Sequence, residues 1–148
     1  MLYEPKRVMN GTHGYVWLDD SLVSECKEME AYVEFDTEEV TQSGEMQPGD
    51  KIKGRRGTGS LTLYKVTSRM IKALSEDMKA NRQTEFTIIS LVDDPDAFGS
   101  ERIVLKGVTF AKLQLANWKH NTLGEEKVDF KFRDWDIVDS VDGSVLGG

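Results

Sequence analysis

The chain offers few side chains that could act as a nucleophile or bind a transition metal, since it has one cysteine and two histidines. Cys26 could act as a nucleophile with His13 or His120 as its base, and the same three side chains would have to converge in a zinc site. Their spacing matches no metal-binding motif, and the sequence Ser-Glu-Cys-Lys-Glu matches no nucleophile motif. Acidic neighbours are also expected to raise the pKa of the thiol. We interpret Cys26 as a small buried or half-buried side chain and predict no metal site, no cofactor and no catalytic residue.

Three further runs have compositions that could bind ions. Asp93, Asp94 and Asp96 lack the glycine and the bidentate glutamate of a calcium loop, so they are predicted to form a turn. Gly54–Ser60 lacks the Gly-Lys-Ser/Thr ending of a phosphate-binding loop, and no helix follows it directly. The basic run within Lys51–Arg56 has no interleaved aromatic residues on which bases could stack. A protein contact or a solvated loop is therefore favoured over nucleic-acid binding.

The composition is that of one folded domain: 148 residues, of which 39% are hydrophobic and 30% are charged. The lone cysteine cannot form an internal disulfide, which favours a reducing compartment. No apolar run is long enough to cross a bilayer, and the first residues lack the apolar segment of a signal peptide, so no membrane association is expected. The formal net charge of −7 disfavours a general DNA-binding protein, because phosphate contacts need clustered Lys and Arg.

The charges are unevenly distributed along the chain. Asp19–Asp50 holds eleven acids and one base, whereas Lys51–Arg82 holds nine bases and two acids. One interpretation, which we favour from sequence alone, is that acidic and basic strands pair inside one domain. The other is that opposite faces of the molecule carry opposite charge, which would favour head-to-tail association.

Alternation of apolar and polar residues predicts strands over His13–Asp19 and Leu22–Asp36. In the second half of the latter strand, apolar residues alternate mainly with acids, which predicts one half-buried face and one wet face. The alternation changes phase near Lys27, so a bulge or bend is expected there. The apolar residues of that half are Met29, Ala31, Val33 and Phe35.

A polar, glycine-rich stretch separates this strand from the next apolar segment. Thr41–Gly59 holds five glycines and is predicted to be an exposed loop or an extended hairpin. Ser60–Val66 is predicted to be a strand, and Thr67–Asn81 to be the only helix. The apolar stripe of the helix consists of Met70, Leu74 and Met78.

The rest of the chain is predicted to be β-structure. Arg102–Trp118 is one bent strand or two strands broken near Gly107, and the alternation in the last strand slips once at Asp134. The tail Ser140–Gly148 is expected to be loose. Together the elements predict a single domain over residues 1–148, mainly β (α+β), built as an antiparallel sandwich or barrel with one flanking helix. The strands predicted in this part of the chain are Thr84–Val92, Arg102–Trp118 and Glu126–Val138.

Several segments, taken in order, resemble the tail tube protein of contractile-tailed bacteriophages, in the branch found in Gram-positive phages and defective prophages. The resemblance depends on the order and spacing of the segments and covers nearly the whole chain. Besides the single helix, the segments are Asn10–Trp17, Val33–Phe35, Gly57–Leu61, Asp94–Arg102, Leu105–Val108 and Phe130–Trp135.

This resemblance implies a β-barrel-like sandwich with a helix at its side, and a structural role without enzymatic activity. Six subunits would join their sheets into a ring, and stacked rings would form a tube that a contractile sheath surrounds and a baseplate nucleates. DNA or an effector would pass through the tube as cargo without specific binding. The protein would belong to the tail of a virion or phage-like particle assembled in the bacterial cytoplasm.

Two surfaces are expected to matter in such an assembly. Acids within Asp19–Glu39 or Glu125–Asp139 are expected to face the lumen, where they would repel DNA phosphates. The glycine-rich stretch is the candidate contact between subunits or rings, with its bases meeting acids of a neighbour. The candidate bases are Lys51, Lys53, Arg55 and Arg56, and the candidate acids are Glu38, Glu39 and Glu45.

Two alternatives remain at this point. The first is the tube protein of a type VI secretion system, which resembles the same fold. The second, of another class, is a monomeric β-barrel that binds a small ligand. A ligand-binding barrel needs an enclosed apolar cavity, whereas the strands here carry polar residues such as Glu30, Glu34 and Lys131.

Overall fold

The computed structural model describes residues 3–44 and 46–141. Its elements are β1 (Gly14–Leu18), β2 (Ser21–Leu22), β3 (Cys26–Val40), β4 (Gly49–Tyr64), α1 (Arg69–Lys79), β5 (Phe86–Val92), β6 (Glu101–Val108), β7 (Glu125–Phe132) and β8 (Asp134–Asp139). They form two antiparallel sheets, one with the order β2-β1-β5-β6-β8 and one with the order β3-β4-β7. The predicted fold class, mainly antiparallel β-structure with one helix, is confirmed.

The core lies between the two sheets, and in β7 buried and exposed side chains alternate strictly. Glu126, Val128, Phe130 and Phe132 are buried, whereas the residues between them are exposed. The buried carboxylate of Glu126 accepts a hydrogen bond from the Lys65 ammonium at 3.0 Å, which compensates its removal from water. Aromatic contacts run through the core from Phe86 to Phe110, Phe130, Phe132 and Trp135, with ring centroids 5.4 to 6.5 Å apart.

The predicted slip in alternation at Asp134 marks a change of sheet. β7 belongs to the three-stranded sheet and β8 to the five-stranded sheet, and Arg133 alone separates them. The backbone N–H of Arg133 donates to the carbonyl of Lys106 at 3.0 Å, which fixes this corner. Trp135, the first apolar residue after the slip, packs against the core as expected, but Ile137 is exposed.

The helix is shorter at both ends than predicted but buries the expected stripe. Met70 and Leu74 are buried, and Met78 packs against the core. The helix ends just before Asn81, whose φ of 56° is a left-handed conformation that asparagine tolerates. Its start is held by Arg69, whose guanidinium donates to both oxygens of Glu25 at 2.7 and 3.4 Å. Burial acts to raise the pKa of Glu25, but these bonds outweigh it and leave the pKa below its ordinary value.

The glycine-rich stretch is a hairpin rather than a loop. β4 begins at Gly49, so only residues 41–48 connect it to β3, and the predicted strand Ser60–Val66 is the end of a longer strand. The predicted bulge near Lys27 is confirmed as a register shift between Cys26 and Glu28. The half-buried face predicted for β3 is wrong beyond Met29, because this part of the strand has no second layer over it and Ala31, Val33 and Phe35 are exposed.

The strand predicted to continue to Trp118 ends at Val108. Gly107 has a φ of +63°, and a register shift between β5 and β6 falls at this point, which is the geometry of a glycine bulge. After it, Thr109 forms one isolated bridge with Lys131, and residues 111–119 have no regular secondary structure. The predicted strand beyond Gly107 is wrong, because alternation of apolar and polar residues shows that a segment could pair with another strand but not that it does.

Two glycines in β4 are required by the aromatic rings that lie over them. Gly57 is opposite Phe132 and Gly59 is opposite Phe130 in the pairing of β4 with β7. A Cβ atom at either glycine would lie closer than 3.0 Å to atoms of the opposite ring, and at Gly59 it would also meet the carbonyl of Glu30. The rings therefore fill the space that side chains of β4 would otherwise occupy.

We expect Gly59→Ala to destabilise the subunit by about 1–3 kcal/mol, because the ring of Phe130 and the β3 backbone would both have to move. Gly54→Ala is the matched control in the same strand, since a Cβ there meets nothing within 4 Å, and its effect should stay within about 0.5 kcal/mol. Urea unfolding of both variants measures the difference. Equal stabilities would show that the rings do not constrain Gly59.

Asp94 anchors the segment before β1 to the turn between β5 and β6. Its buried carboxylate accepts hydrogen bonds from the backbone N–H groups of Asp96 at 2.9 Å and Asn10 at 3.0 Å. These two bonds hold the pKa of Asp94 below its ordinary value. The acidic run is thus a turn, as predicted.

The depressed pKa of Asp94 makes its contribution depend on pH. The carboxylate stabilises the folded state above the unfolded pKa of about 3.9, and this stabilisation is lost as the pH falls through the lower folded pKa. Asp94→Asn should therefore lower the Tm at pH 7, and the gap from the unsubstituted chain should close in strong acid. Asp93→Asn, at an exposed neighbour, is the control. A gap that persists unchanged at low pH would contradict this account.

Candidate assembly surface

The outer half of the β3–β4 hairpin projects beyond the sandwich. β7 pairs with β4 only from Gly57 to Tyr64, so the strands from Glu34 and Arg56 outwards pair only with each other. We call residues 34–56 the arm. Each of its strands holds about seven residues, which at about 3.3 Å each gives a projection of roughly 20 Å. Within the described part of the arm, Asp36 alone is half-buried and the other residues are exposed.

Most of the candidate charges on the arm have partners within the same chain. Lys53 lies 3.7 Å from the Glu38 carboxylate, and Arg56 lies 3.4 Å from that of Asp36. The guanidinium of Arg55 lies over the ring of Trp135, 4.9 Å from its centroid. For these residues the structure supports the interpretation that acidic and basic strands pair within one domain.

The remaining candidates are placed differently. Lys51 is opposite Glu38 in the strand register, and Glu39 is opposite Asp50. Glu45 lies outside the described residues. Contacts of any of these residues with a second copy stay a prediction. Asp36 and Trp135 were not predicted as partners, because a loop and a hairpin were both left open for this stretch. The hairpin register brings Asp36 near Arg56, and Trp135 reaches Arg55 from β8 in the other sheet.

The arm also exposes large apolar side chains on the face that continues the core face of β3. Val33 and Phe35 are followed on this face by Ile52 of the opposite strand, which pairs with Thr37. The exposed fractions are 42% for Val33, 65% for Phe35 and 52% for Ile52. Contiguous exposed apolar side chains of this kind are typical of surfaces that bind another molecule, whereas single exposed apolar side chains are common on any protein surface.

The opposite face of β3 is acidic. Alternation places five carboxylates on it, and we call these residues the acidic row. Tyr32 lies within the row and donates a hydrogen bond from its hydroxyl to Glu30 at 3.0 Å, which raises the pKa of Tyr32. The acidic row consists of Glu28, Glu30, Glu34, Asp36 and Glu38.

Strands at the margins of both sheets leave one edge unpaired. β3 pairs only with β4, and β8 pairs only with β6, within residues 3–44 and 46–141. β8 also exposes Ile137 and Val138, at 64% and 55%. Free edges of this kind are templates for pairing with another chain.

Little in the described residues suggests chemistry. A cleft of about 640 Å³ between β1 and β3 is lined by Tyr15, Leu22, Met29 and Cys26, among others. Burial raises the pKa of the Cys26 thiol, and the charges of the nearby glutamates raise it further, so it is a weak nucleophile at neutral pH. No group of three or more His, Cys, Asp or Glu side chains in the described part of the chain could hold a metal ion. No helix in that part has the length and apolar content needed to cross a membrane.

The described surface thus combines two sheets with free edges, a projecting arm and an acidic face. A family described as phage tail tube protein matches residues 1–139. The chain belongs to this family. A tail tube protein is a structural component of a phage tail or related injection particle, and the predicted resemblance is confirmed.

Two curated relatives from Bacillus subtilis (strain 168) agree with this assignment. This tail tube chain is 31% identical to the phage-like element PBSX protein XkdM over 143 residues, which span 95% of the chain and 97% of the relative. An uncharacterized protein, YqbM, is 31% identical over the same share of both chains.

Solved structures share the tail tube fold. A Bacillus subtilis protein of known structure is 31% identical, with a TM-score of 0.51 over 87% of this chain and 94% of the other. A chain in the extended sheath–tube complex of an extracellular contractile injection system (PVC) has a TM-score of 0.67 at 7% identity, over 87% and 90% of the two chains. A chain in the tail of a gene transfer agent particle, refined with C6 symmetry, has a TM-score of 0.54 at 12% identity, over 89% and 100%.

The described residues of the arm are exposed apart from the half-buried Asp36, so the arm should be removable. We expect a variant in which Asp36–Gly54 is replaced by Asn-Gly to fold, since Phe35 and Arg55 are already paired and Asn-Gly forms a two-residue hairpin turn. The lost surface ion pairs are worth about 0–1 kcal/mol each. Circular dichroism melting should show a cooperative transition within a few degrees of the full chain. Loss of that transition would show that the arm supports the core.

Proposed function

We propose that the chain assembles head to tail into rings of six subunits, and that stacked rings form the inner tube of a contractile phage tail or phage-like particle. The observation that carries this proposal is the combination of free sheet edges on both sheets with an arm that extends about 20 Å beyond the core. A monomer gains nothing from either feature, whereas a ring pairs the edges and a stack covers the arm. The C6 symmetry described for a matched particle tail supports the number six.

The arm supplies the contact between rings or between neighbouring subunits. Its apolar face offers Val33, Phe35 and Ile52 for burial, and its rim carries the candidate charges. The intrachain pairs are exposed, with Lys53 and Glu38 side chains 53% and 67% accessible, so they can exchange partners at little cost. In this proposal Lys51, Lys53, Arg55 and Arg56 meet Glu38, Glu39 and Glu45 of another copy.

Glu28, Glu30 and Glu34 of the acidic row face the lumen. DNA then passes through the tube as cargo and is repelled by the wall, because like charges prevent the phosphates from binding. A basic wall would hold the duplex at every ring. The free edge and the acidic row belong to the same strand, so pairing through β3 places its side chains on the surfaces of a continuous sheet.

The partners outside the tube are a contractile sheath and a baseplate, and the tube forms in the bacterial cytoplasm as part of a virion or phage-like particle. No enzymatic step is required of the chain. A type VI secretion tube has the same fold, but the family match and the phage-like relative favour the phage machine. The ligand-binding barrel is disfavoured because the cleft beside Cys26 is open and partly polar.

Electron microscopy of the purified protein at increasing concentration tests the assembly. The full chain should form rings or tubes. The variant with Asn-Gly in place of Asp36–Gly54 should fold but form no stacked tubes. A full chain that stays monomeric at high concentration contradicts the proposal, and normal tubes from the shortened variant contradict the role of the arm. In a reconstruction of the tube, carboxylates of Glu28, Glu30 and Glu34 on the outer surface would contradict their role in the lumen.

A further inference from the structure

Residues 111–119 form a segment that has the sequence of a strand but no partner. We call it the outer segment. Leu113 and Leu115 alternate with Lys112 and Gln114, and the segment contains neither glycine nor proline. It nevertheless has no regular secondary structure, and Leu115 and Trp118 are 71% and 85% exposed. Leu113 packs against the core. The exposed apolar surface of Leu115 and Trp118 is costly in an isolated subunit and calls for an occupant.

The outer segment begins in register with the free edge of β7. Thr109 and Lys131 exchange both backbone hydrogen bonds, at 2.8 and 3.0 Å, and the ring of Phe110 lies 6.1 Å from that of Phe130. In an antiparallel strand every second residue directs both backbone groups to the same side. Asp129 and Lys127 therefore direct their N–H and C=O groups towards the outer segment, as Lys131 does.

The ladder stops after this first bridge. Within the described residues, no other backbone group pairs with the outer edge of β7. Beyond the bridge, Ala111 and Lys112 line an open cleft of about 400 Å³ together with Lys127 and Asp129 of β7 and Glu30 and Tyr32 of β3. Only the side-chain amide of Gln114 reaches across, to the carbonyl of Glu125 at 3.5 Å. The register for a fourth strand is thus set, but the strand is not formed.

Charge identifies the partner on the other side of the outer segment. The outer segment carries two bases and no acid, whereas β3 carries six acids and one base. β3 and β7 are the opposite margins of the three-stranded sheet, so the two complementary edges face opposite directions. Such a pair of surfaces joins copies head to tail. Tyr32 and Phe35 also give β3 exposed aromatic side chains that could cover Leu115 and Trp118.

We propose that, on ring formation, the outer segment becomes the fourth strand of its own sheet and receives the β3 edge of a second copy of this chain on its other side. This inference rests on the proposed ring and adds the element that joins neighbouring subunits. Assembly is then coupled to ordering, because the outer segment gains a hydrogen-bond ladder on both sides only when the second copy is present. In the isolated subunit this edge of the sheet has no ordered strand to offer, so it is a poor template for aggregation.

Hydrogen exchange measured by mass spectrometry tests the ordering directly. Backbone amides of residues 111–118 should exchange rapidly in the unassembled shortened variant and at least about 100-fold more slowly in tubes of the full chain. Exchange in this segment that is equally fast in tubes overturns the inference. Protection that appears only after a sheath protein is added also overturns it, because the occupant would then be the sheath rather than a second copy.

Charge reversal tests the partner. The first variant carries Glu28→Lys, Glu30→Lys and Glu34→Lys in β3, and the second carries Lys112→Glu and Lys119→Glu in the outer segment. Each variant alone should fail to form rings, because its β3 strand and its outer segment then carry net charge of the same sign. An equimolar mixture should assemble, because alternating copies restore opposite charges at every contact of a ring with six members.

The matched control for the second variant is Lys72→Glu with Lys79→Glu, which makes the same charge change on the exposed side of α1 and should assemble as the full chain does. Normal rings from both reversed variants alone, or no rings from their mixture, overturn the inference. These outcomes are distinct from failure of the proposed function, in which the unsubstituted chain itself forms neither rings nor tubes.

Discussion

The packing of Phe130 and Phe132 on Gly57 and Gly59 is the contact on which the rest of this subunit depends. It lets β4 lie flat under two aromatic rings, so that one strand can be buried at one end and free at the other. Leu61 and Leu63 at the buried end are 1% and 3% exposed, whereas the residues before Gly57 are exposed. The core stabilises the strand, and the same strand carries the arm beyond the core.

Much of this architecture could be predicted from alternation alone. The alternation up to Phe132 predicted the buried face of β7 correctly, since period-two burial follows from the pleat. The slip at Asp134 was predicted within a single strand, Glu126–Val138, and it marks the boundary between β7 and β8. The bulge near Lys27 was predicted for the same reason. The apolar side chains of these elements pack against other parts of the same chain, so the pattern in the sequence matches the burial in the structure.

The predictions that were wrong concern surfaces without a cover in the subunit. Val33 and Phe35 alternate with acids as a half-buried strand would, yet both are exposed. Residues 111–118 were predicted to belong to a strand, yet they have no regular secondary structure, and Leu115 and Trp118 are exposed. Alternation shows which side chains share a face, but it does not show whether the same chain covers that face. The partners of Arg55 and Arg56 were missed for a different reason. Asp36 comes within reach of Arg56 through the hairpin register, and Trp135 comes within reach of Arg55 from β8, a strand of the other sheet.

The corner at Arg133 has a mechanical consequence. One residue separates strands in two different sheets, and its N–H is bonded to Lys106 in the strand beside β8. There is no slack at this joint, so a displacement of one sheet along its strands must be transmitted to the other. The sandwich therefore acts as a stiff block, and bending or twisting is taken up in the arm and in residues 111–119, where few contacts resist it. A filament of such blocks would be rigid within each subunit and compliant at its joints.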